Sequence, residues 1–318
     1  MKHICHISVL NPLKHSRIYY RLALGAKRLG YEVSIIAQGE GDRRSEDGIR
    51  LTGTGNFHRL SPKRFRFPQS IKEQALALKA DIYVLPTPEL LGLGQWLKEQ
   101  TGAKIVYDVH EDYFATLQHA GHYPKLLRNP LAQAVRKREL KALDFLDAVV
   151  YAEECYKGMF DFDSAKTFIL RNKFAFARGG ESSLDELPFE AYVLYTGTFA
   201  WPWGLKETYE FWQTLRQIHP LGLVFAGFDA KGRAVDELEA TIKADGVGES
   251  VKIIGGKNYV PYGDILALIE NCFLGTAFYH VQHNIVGKVP TKFYEFMAKG
   301  RPLIFTREEH WEKQNEKT

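Results

Sequence analysis

The chain alternates short runs of β-branched residues with longer amphipathic stretches, and this alternation restricts its fold more than any other feature. Residues 3–10 predict a first strand, and residues 17–30 predict a helix that ends at Gly30. Further strands are predicted at 31–37, 48–53, 81–86, 103–109 and 147–152, and helices at 69–79, 88–100 and 128–143. Because strands joined by helices run parallel with right-handed crossovers, the pattern predicts a doubly wound α/β domain.

A polar segment interrupts the alternation. Residues 178–190 are rich in Gly, Ser and acidic side chains and have no apolar period, so we predict a linker there. The alternation then resumes with strands at 191–197, 222–227, 250–256, 272–278 and 301–306 and helices at 205–217, 234–244, 261–270 and 291–299. The sequence therefore predicts two domains, residues 1–177 and 191–318. We expect ligand in a cleft between them, at the carboxyl ends of the strands.

Composition excludes several classes of protein. The 318 residues carry a formal net charge of only +4, which does not indicate a nucleic-acid-binding chain. Cys5, Cys155 and Cys272 lie far apart without metal-ligand spacing, which favours a reduced, cytoplasmic protein. The apolar run at 4–10 is too short for a secretory signal, and no stretch approaches the roughly 20 apolar residues that span a bilayer.

The segment 287–306 carries the clearest signal for a phosphate-bearing ligand. A loop that contains Gly287 and Pro290 leads into a helix predicted to begin at Thr291. The first N–H groups of a helix have no partner within the helix, and together with the macrodipole they attract phosphate oxygens. The loop and the helix start are therefore a predicted phosphate site.

Two lysines and a glutamate accompany this loop. Lys288 and Lys292 bring positive charge to the helix start, where it opposes the macrodipole unless an anion is bound. Glu295 follows about one helical turn later, and a carboxylate there can accept hydrogen bonds from two ribose hydroxyls. The alternative is an ordinary helix–strand unit with a solvated Lys/Glu pair, and spacing alone does not decide between the two.

A second candidate site, residues 107–113, directly follows a predicted strand. His110 could donate a hydrogen bond to a sugar hydroxyl or to charge that develops at an anomeric centre. Asp108, Glu111 and Asp112 could orient this histidine or hold an acceptor hydroxyl. An exposed polar loop is the alternative. We predict no metal, because consecutive side chains point in different directions.

The loop at 196–207 is a third candidate. Gly197 permits close backbone approach, and Lys206 could reach a diphosphate. Trp201 and Trp203 either stack on a sugar or base or pack beneath the cleft, and packing is the favoured interpretation.

Basic residues alternate with phenylalanines at 61–67. Lys63, Arg64 and Arg66 stand there, and residues 125–141 add cations on a predicted helix. Such stretches suit an anionic membrane surface or RNA, and a solvated surface is at least as good an interpretation. We expect peripheral membrane contact at the inner face as one role, and no nucleic-acid partner.

The chain resembles the retaining GT-B glycosyltransferases of family 4 along nearly its whole length. Residues 17–37 are similar to the family's first helix and second strand. Residues 79–113 resemble a subgroup pattern that ends in "ivyDvHE", and residues 290–306 resemble the P-x-K-x-x-E-(Y/F)-M-A-x-G-x-P-(L/V)-I pattern. The resemblance implies the GT-B architecture, which is two Rossmann-like domains that face a cleft.

The resemblance also implies an activity. It predicts transfer of a sugar from a UDP- or GDP-sugar to a hydroxyl of a glycan or lipid-linked acceptor, in surface polysaccharide or glycolipid assembly. The configuration is retained, usually without a metal or cofactor, and the leaving phosphate helps to deprotonate the acceptor. Glu295 would contact the ribose, His110 the donor sugar, and the loop from Lys288 to Lys292 the diphosphate.

The predicted catalytic residues are His110, Lys206 and Lys292. The predicted donor-binding residues are Gly197, Thr198, Lys257, Gly287, Lys288, Pro290, Thr291 and Glu295. Asp108, Glu111 and Asp112 are assigned to the acceptor side.

The sequence departs from the family pattern at three positions. Gly287 stands where a second glutamate is common, and Thr198 and Trp203 stand where a basic pair is common. Lys206 or Lys257 could replace that pair. The chain also ends earlier than family members usually do. These departures leave two alternatives: a catalytically silent GT-B protein that binds a nucleotide sugar or a partner enzyme, and a sugar-nucleotide epimerase.

Overall fold

A computed structural model describes residues 1–56, 61, 67, 69–119, 123–174, 184, 187–229, 232–280, 286–309 and 311–312. The chain divides into two compact units, Met1–Ala175 and Phe176–Thr318. Most of the predicted linker, residues 178–190, lies outside the described residues. Each unit is built on one sheet and is described by itself.

The N-terminal unit contains eight strands. They are β1 (His3–Pro12), β2 (Glu32–Gln38), β3 (Asp42–Arg44), β4 (Arg50–Gly53), β5 (Ile82–Leu85), β6 (Lys104–Val109), β7 (Ala148–Tyr151) and β8 (Thr167–Ile169). Their order is β3-β4-β2-β1-β5-β6-β7-β8, and every neighbouring pair is parallel except β3–β4. The chain therefore winds outward from β1 in both directions, as a doubly wound sheet does.

The first helix of this unit has two parts. A π-helical segment, Ile18–Ala23, continues as α1 (Leu24–Arg28). The other α-helices are α2 (Lys72–Ala77), α3 (Leu91–Thr101), α4 (Tyr113–His119) and α5 (Lys125–Ala142). π-Helical turns are frequently found at functional sites, and this one begins directly after Arg17.

Strand register places polar side chains on one face of the N-terminal sheet. His6 of β1 aligns with Val84 of β5, which aligns with Val106 of β6. Because side chains alternate along a strand and aligned neighbours share a face, Asp108 lies on the same face as His6. The opposite face packs into a buried apolar core that includes Cys5, Ile7, Tyr83, Leu85, Tyr107 and Val109.

The C-terminal unit contains five parallel strands. They are β9 (Tyr192–Thr198), β10 (Gly222–Phe228), β11 (Val251–Gly256), β12 (Leu274–Ala277) and β13 (Leu303–Phe305), in the order β11-β10-β9-β12-β13. The α-helices are α6 (Leu205–Leu215), α7 (Arg233–Ala244), α8 (Tyr262–Asn271) and α9 (Thr291–Ala298). Separate apolar clusters cover the two sheet faces, one around Trp212 and one around Phe296. The predicted α/β fold with two parallel-sheet domains is confirmed.

The sheet of the N-terminal unit ends at a short polar strand. β3 has three residues, all charged and exposed, and it pairs antiparallel with β4. Asp42 accepts hydrogen bonds from the Arg50 guanidinium at 2.6 and 3.2 Å. β3, β8 and α4 were not predicted from the sequence.

No helix in the described part of the chain combines the length and apolarity that a bilayer crossing requires.

Candidate donor and acceptor sites

The strand order of the C-terminal unit defines a crevice. β9 and β12 are neighbours, but the chain continues from β9 toward β10 on one side and from β12 toward β13 on the other. In open α/β sheets, ligands bind at the carboxyl ends of the strands where the winding reverses. Gly197 and Thr198 lie at this end of β9 and are both exposed. This crevice is the candidate donor site.

The loops that follow β9 and β12 contact each other at the crevice. The Gly204 backbone has a φ of +87°, and a Cβ there would lie 1.8 Å from the Phe278 carbonyl oxygen. The Trp203 and Tyr279 rings meet edge-on at 5.5 Å, and His280 Nε2 lies 2.6 Å from Glu207 Oε1. Trp203 therefore packs against Tyr279 at the crevice.

Lys292 is buried at the start of α9 and is 7% exposed. Its ammonium nitrogen lies 4.6 Å from the centroid of the Tyr195 ring and 5.2 Å from that of Tyr279. Burial lowers the pKa of Lys292 to about 7, although the charge of Glu295 raises it in part. The two aromatic rings attract the ammonium group, but burial removes the water that solvates it, and this loss disfavours the charged form. An anion bound in the crevice would stabilise the charged form of Lys292.

Glu295 lies about one helical turn beyond Lys292 and is 4% exposed. The Tyr262 hydroxyl, at the start of α8, donates a hydrogen bond to Glu295 Oε1 at 2.7 Å. This bond sets the orientation of the carboxylate. The structure thus brings Glu295, Lys292 and the exposed end of β9 to the same end of the sheet.

The loop before α9 is tied to the C-terminal part of the described chain. Trp311 is fully buried, and its indole N–H donates to the Lys288 carbonyl oxygen at 2.6 Å. The Trp311 ring also lies 5.2 Å from Phe293 and 5.6 Å from Tyr279. Trp311 therefore fixes the backbone of the predicted donor loop, which holds Gly287, Lys288, Pro290 and Thr291.

Two predicted cations lie elsewhere. The Lys206 side chain is 67% exposed, its Nζ lies 3.5 Å from Glu210 Oε1, and it lines a separate groove between α6 and α7. The prediction that Lys206 reaches a diphosphate stays a prediction. Lys257 follows β11 near the sheet edge, is 61% exposed, and pairs with Asp236 at 2.6 Å. Both lysines are therefore exposed and paired with carboxylates of their own unit.

In the N-terminal unit, Asp108 joins a histidine to an arginine. Asp108 is 1% exposed, and its Oδ2 lies 2.6 Å from His110 Nε2. Arg17 donates to both carboxylate oxygens, from Nη2 at 2.5 Å and from Nε at 3.0 Å. Burial by itself would raise the pKa of Asp108, but the charges of Arg17 and His110 and their hydrogen bonds hold it well below its usual range. Both carboxylate oxygens therefore already accept hydrogen bonds from protein groups, and the acceptor-side assignment of Asp108 stays a prediction.

Two further histidines surround this group. Burial, together with the charges of His110, Arg21 and Arg17, lowers the pKa of His15 to about 3. Burial also lowers the pKa of His6 to about 4. The rings of His15 and His110 are nearly parallel, with centroids 6.2 Å apart. The site at neutral pH therefore combines two neutral imidazoles with an ionised Asp–Arg pair.

The other two acidic residues of this segment begin a helix. Asp112 Oδ1 accepts from the Ala115 amide at 3.2 Å and from Arg136 Nη2 at 3.0 Å. Glu111 contacts Thr116 at 3.4 Å and is exposed. Asp112 therefore has a capping role at α4, and the acceptor-side assignments of Glu111 and Asp112 stay predictions. Among the described residues, no cluster of three His, Cys, Asp or Glu could hold a metal ion.

Several site residues were missed in the sequence. Arg17 precedes a helix and reads as a surface cation, although it is 3% exposed. Tyr195, Tyr262 and Tyr279 lie in strand- or helix-forming stretches where aromatic residues usually pack in the core. Only the strand order that brings β9 beside β12 reveals that two of these rings meet Lys292. The predicted membrane residues Lys63, Arg64 and Arg66 lie outside the described residues.

Comparison with known structures identifies the fold. Sucrose-phosphate synthase from Thermosynechococcus elongatus is 16% identical, with a TM-score of 0.65, over 96% of this chain and 81% of that chain. HepE from Anabaena, in complex with UDP and glucose, is 15% identical, with a TM-score of 0.63, over 98% and 83%. A structure described as trehalose-6-phosphate from Escherichia coli bound with UDP-2-fluoro glucose is 10% identical, with a TM-score of 0.58, over 96% of this chain and 84% of that chain. The fold is therefore that of the GT-B glycosyltransferases.

A sequence match is found in the N-terminal unit. Residues 16–157 match the family described as glycosyl transferase 4-like domain. No curated protein sequence matches the chain.

Proposed function

We propose that the protein transfers a sugar from a UDP- or GDP-sugar to a hydroxyl acceptor with retention of configuration. One observation carries the proposal: Lys292 lies buried against two tyrosine rings at the start of α9, near Glu295 and the exposed end of β9. A buried ammonium beside helix N–H groups suits a diphosphate. The HepE structures contain UDP, UDP-glucose, or UDP with glucose, which supports a nucleotide-sugar donor.

Each residue then has a defined task. The N–H groups of α9, Lys288 and Lys292 hold the diphosphate, and Glu295 accepts hydrogen bonds from the ribose hydroxyls. The bond between the anomeric carbon and the phosphate oxygen breaks as the acceptor oxygen bonds to the same face of the sugar. The acceptor proton passes to the departing phosphate oxygen, whose negative charge Lys292 stabilises. This route needs neither an enzyme nucleophile, as in two-carboxylate glycosidases, nor a metal.

Transfer of labelled sugar tests the activity directly. The purified chain is incubated with labelled UDP- or GDP-sugars, with and without lipid-linked or glycan acceptors, in EDTA. Acceptor-dependent product of retained configuration supports the proposal, which would extend to polysaccharide or glycolipid assembly. Donor isomerisation without acceptor would instead support an epimerase, a reaction of the structurally similar UDP-N-acetylglucosamine 2-epimerase from Rickettsia bellii (TM-score 0.53). Donor binding without either reaction would support a silent binding protein.

Glu295→Gln is expected to weaken nucleotide binding roughly 10- to 100-fold, because a hydrogen bond to a charged group contributes about 1.5–3 kcal/mol. Glutamine keeps an acceptor for Tyr262 but loses the charge that strengthens bonds from ribose. Calorimetric titration with UDP and GDP measures the change. Glu270→Gln is the matched control, since that carboxylate is 58% exposed and pairs with Lys299 at 2.6 Å. Equal affinity of the wild type and Glu295→Gln would remove Glu295 from the site.

We also propose that α5 makes the membrane contact that brings the protein to lipid-linked acceptors. Leu126 is 90% exposed and Leu127 is 52% exposed, and Lys125 and Arg128 flank them. Exposed leucines beside cations suit the interface of an anionic bilayer.

The double substitution Leu126→Ser/Leu127→Ser is expected to weaken binding to anionic vesicles at least about 10-fold, because each buried leucine contributes about 1.5–3 kcal/mol. Co-sedimentation with phosphatidylglycerol vesicles measures this. Leu140→Ser, at the other end of α5 and 48% exposed in the wild type, is the matched control. Wild-type binding that is equally strong on neutral vesicles would count against an electrostatic contact.

A further inference from the structure

We propose that Arg17 and Asp108 are positioning residues that fix the His110 ring in its Nε2–H tautomer. The neutral imidazole then offers Nδ1 as a hydrogen-bond acceptor to a substrate hydroxyl. This inference deepens the proposed function and rests on it for the identity of the substrate, but the state of the ring can be tested without any activity.

The geometry around Asp108 determines which ring nitrogen carries the proton. His110 Nε2 lies 2.6 Å from Asp108 Oδ2. An ionised carboxylate can only accept hydrogen bonds, so the ring nitrogen that faces it must donate. The low pKa of Asp108 agrees with the ionised form. In the neutral form of the ring, this contact places the proton on Nε2, and Nδ1 keeps its lone pair.

Arg17 holds the carboxylate in place. Its guanidinium donates to both oxygens of Asp108, and the same group donates from Nη1 to the Leu170 carbonyl at 2.8 Å and to Asn172 Oδ1 at 2.9 Å. A planar guanidinium bound on several sides has a fixed orientation, which a lysine ammonium would not provide. Arg17 is therefore committed to protein partners and acts on substrate only through Asp108 and His110.

The free ring nitrogen lies at the ligand-binding end of the sheet. His110 follows the carboxyl end of β6, and its side chain is 13% exposed. Among the described residues, none forms a hydrogen bond with Nδ1. The sequence led us to expect His110 to donate to a sugar hydroxyl. The contact with Asp108 instead leaves Nδ1 of the Nε2–H tautomer as an acceptor for a hydroxyl.

Nitrogen-15 NMR of the histidine rings tests the tautomer in the full-length protein without substrate. A His110→Gln spectrum assigns the signals. The wild type is expected to show a protonated Nε2 and an unprotonated Nδ1 at a pH where His110 is neutral. In Asp108→Asn, the amide can donate to Nε2, so the Nδ1–H tautomer is expected to appear. An Nδ1–H tautomer in the wild type, or an unchanged ring in Asp108→Asn, would overturn the proposal.

A matched carboxylate serves as the control. Asp147 lies just before β7, at the opposite end of the sheet from His110, and pairs with Lys98 at 2.8 Å. Asp147→Asn removes the same charge from the same unit and should leave the His110 signals unchanged. If it shifts the tautomer as Asp108→Asn does, then the effect reflects general loosening of the unit, and the proposal fails.

Kinetics then connect the tautomer to transfer. Asp108→Asn is expected to lower kcat roughly 100-fold, as loss of a correctly protonated catalytic group does. The affinity for UDP, which we place in the other unit, should not change. Since removing the Arg17 charge would leave a buried carboxylate unpaired, Arg17→Lys is the variant tested; it should keep the tautomer and lose less activity than Asp108→Asn. A larger loss of activity in Arg17→Lys than in Asp108→Asn would contradict the positioning role. An inactive wild type would contradict only the proposed function.

Discussion

Lys292→Met is expected to keep its fold and lose sugar transfer by roughly 10²–10³ in kcat, the cost of removing one charge-stabilising group from a preorganised site. Lys292 is the buried cation at the start of α9, and methionine fills a similar volume among Tyr195 and Tyr279 without charge. UDP affinity should fall about 10- to 100-fold, because the variant loses the charge-assisted hydrogen bond from Lys292 to the diphosphate. Transfer assays and calorimetry measure the two losses.

The pH dependence of binding provides a second measurement on this residue. In the free protein the pKa of Lys292 is lowered to about 7, mainly by burial. A bound diphosphate would raise it, so binding takes up a proton above that pH. UDP affinity of the wild type should therefore be greatest below pH 7 and fall as the pH rises toward 9. Lys292→Met should show a flatter profile, and identical profiles would contradict this assignment.

Stability should change in the opposite direction to activity. A lysine whose pKa is lower in the folded state than in the unfolded state destabilises the fold below its ordinary pKa, and the penalty grows as the pH falls toward 7. Lys292→Met should therefore melt at a higher temperature than the wild type at pH 7, and the gap should close toward pH 10. Lys206→Met, at an exposed lysine of the same unit, should change neither stability nor binding.

Gly204→Ala is expected to destabilise the C-terminal unit by at least about 2 kcal/mol, since it combines backbone strain with a steric clash. The φ of +87° disfavours an alanine, and its Cβ would lie 1.8 Å from the Phe278 carbonyl oxygen. Backbone cannot move aside as a flexible side chain can, so the loops after β9 and β12 must separate. Because these loops frame the crevice, UDP binding should weaken as well.

Unfolding followed by tryptophan fluorescence measures this effect, because four of the five tryptophans lie in the C-terminal unit. A loss of about 2 kcal/mol corresponds to a melting temperature lower by roughly 4–8 °C. Gly248→Ala is the matched control: this glycine has no positive φ, and a Cβ there meets nothing within 4 Å. A wild-type melting temperature for Gly204→Ala would show that the two loops do not pack as described.

The predicted elements of the fold agree closely with the structure where apolar periodicity is strong. The strand predicted at 222–227 is Gly222–Phe228, and the helix predicted at 291–299 is Thr291–Ala298. The missed elements have weak patterns: β3 consists of three charged residues, and β8 has only three residues. α4 follows a polar run that we interpreted as a loop, although Asp112 is a favourable capping residue for it.

The candidate site was predictable only where its residues are consecutive. Lys292 and Glu295 lie on one short helix, so their spacing alone indicated a shared face. Arg17 and Asp108 are 91 residues apart, and their pairing depends on the order of β1, β5 and β6. The two tyrosine rings around Lys292 likewise meet only because β9 and β12 are neighbours. Long-range strand order is the information that local pattern does not contain.

The polar strand β3 gives the N-terminal sheet a short, charged edge, a feature that disfavours pairing between sheet edges. A parallel sheet that ended at β4 would present a row of unpaired backbone amides and carbonyls, which is a template for pairing with another chain. β3 covers that row with Asp42, Arg43 and Arg44, all exposed, and it is too short to recruit a further strand. Replacing these charged residues with valines would create an exposed apolar edge strand, which is expected to promote aggregation into fibres.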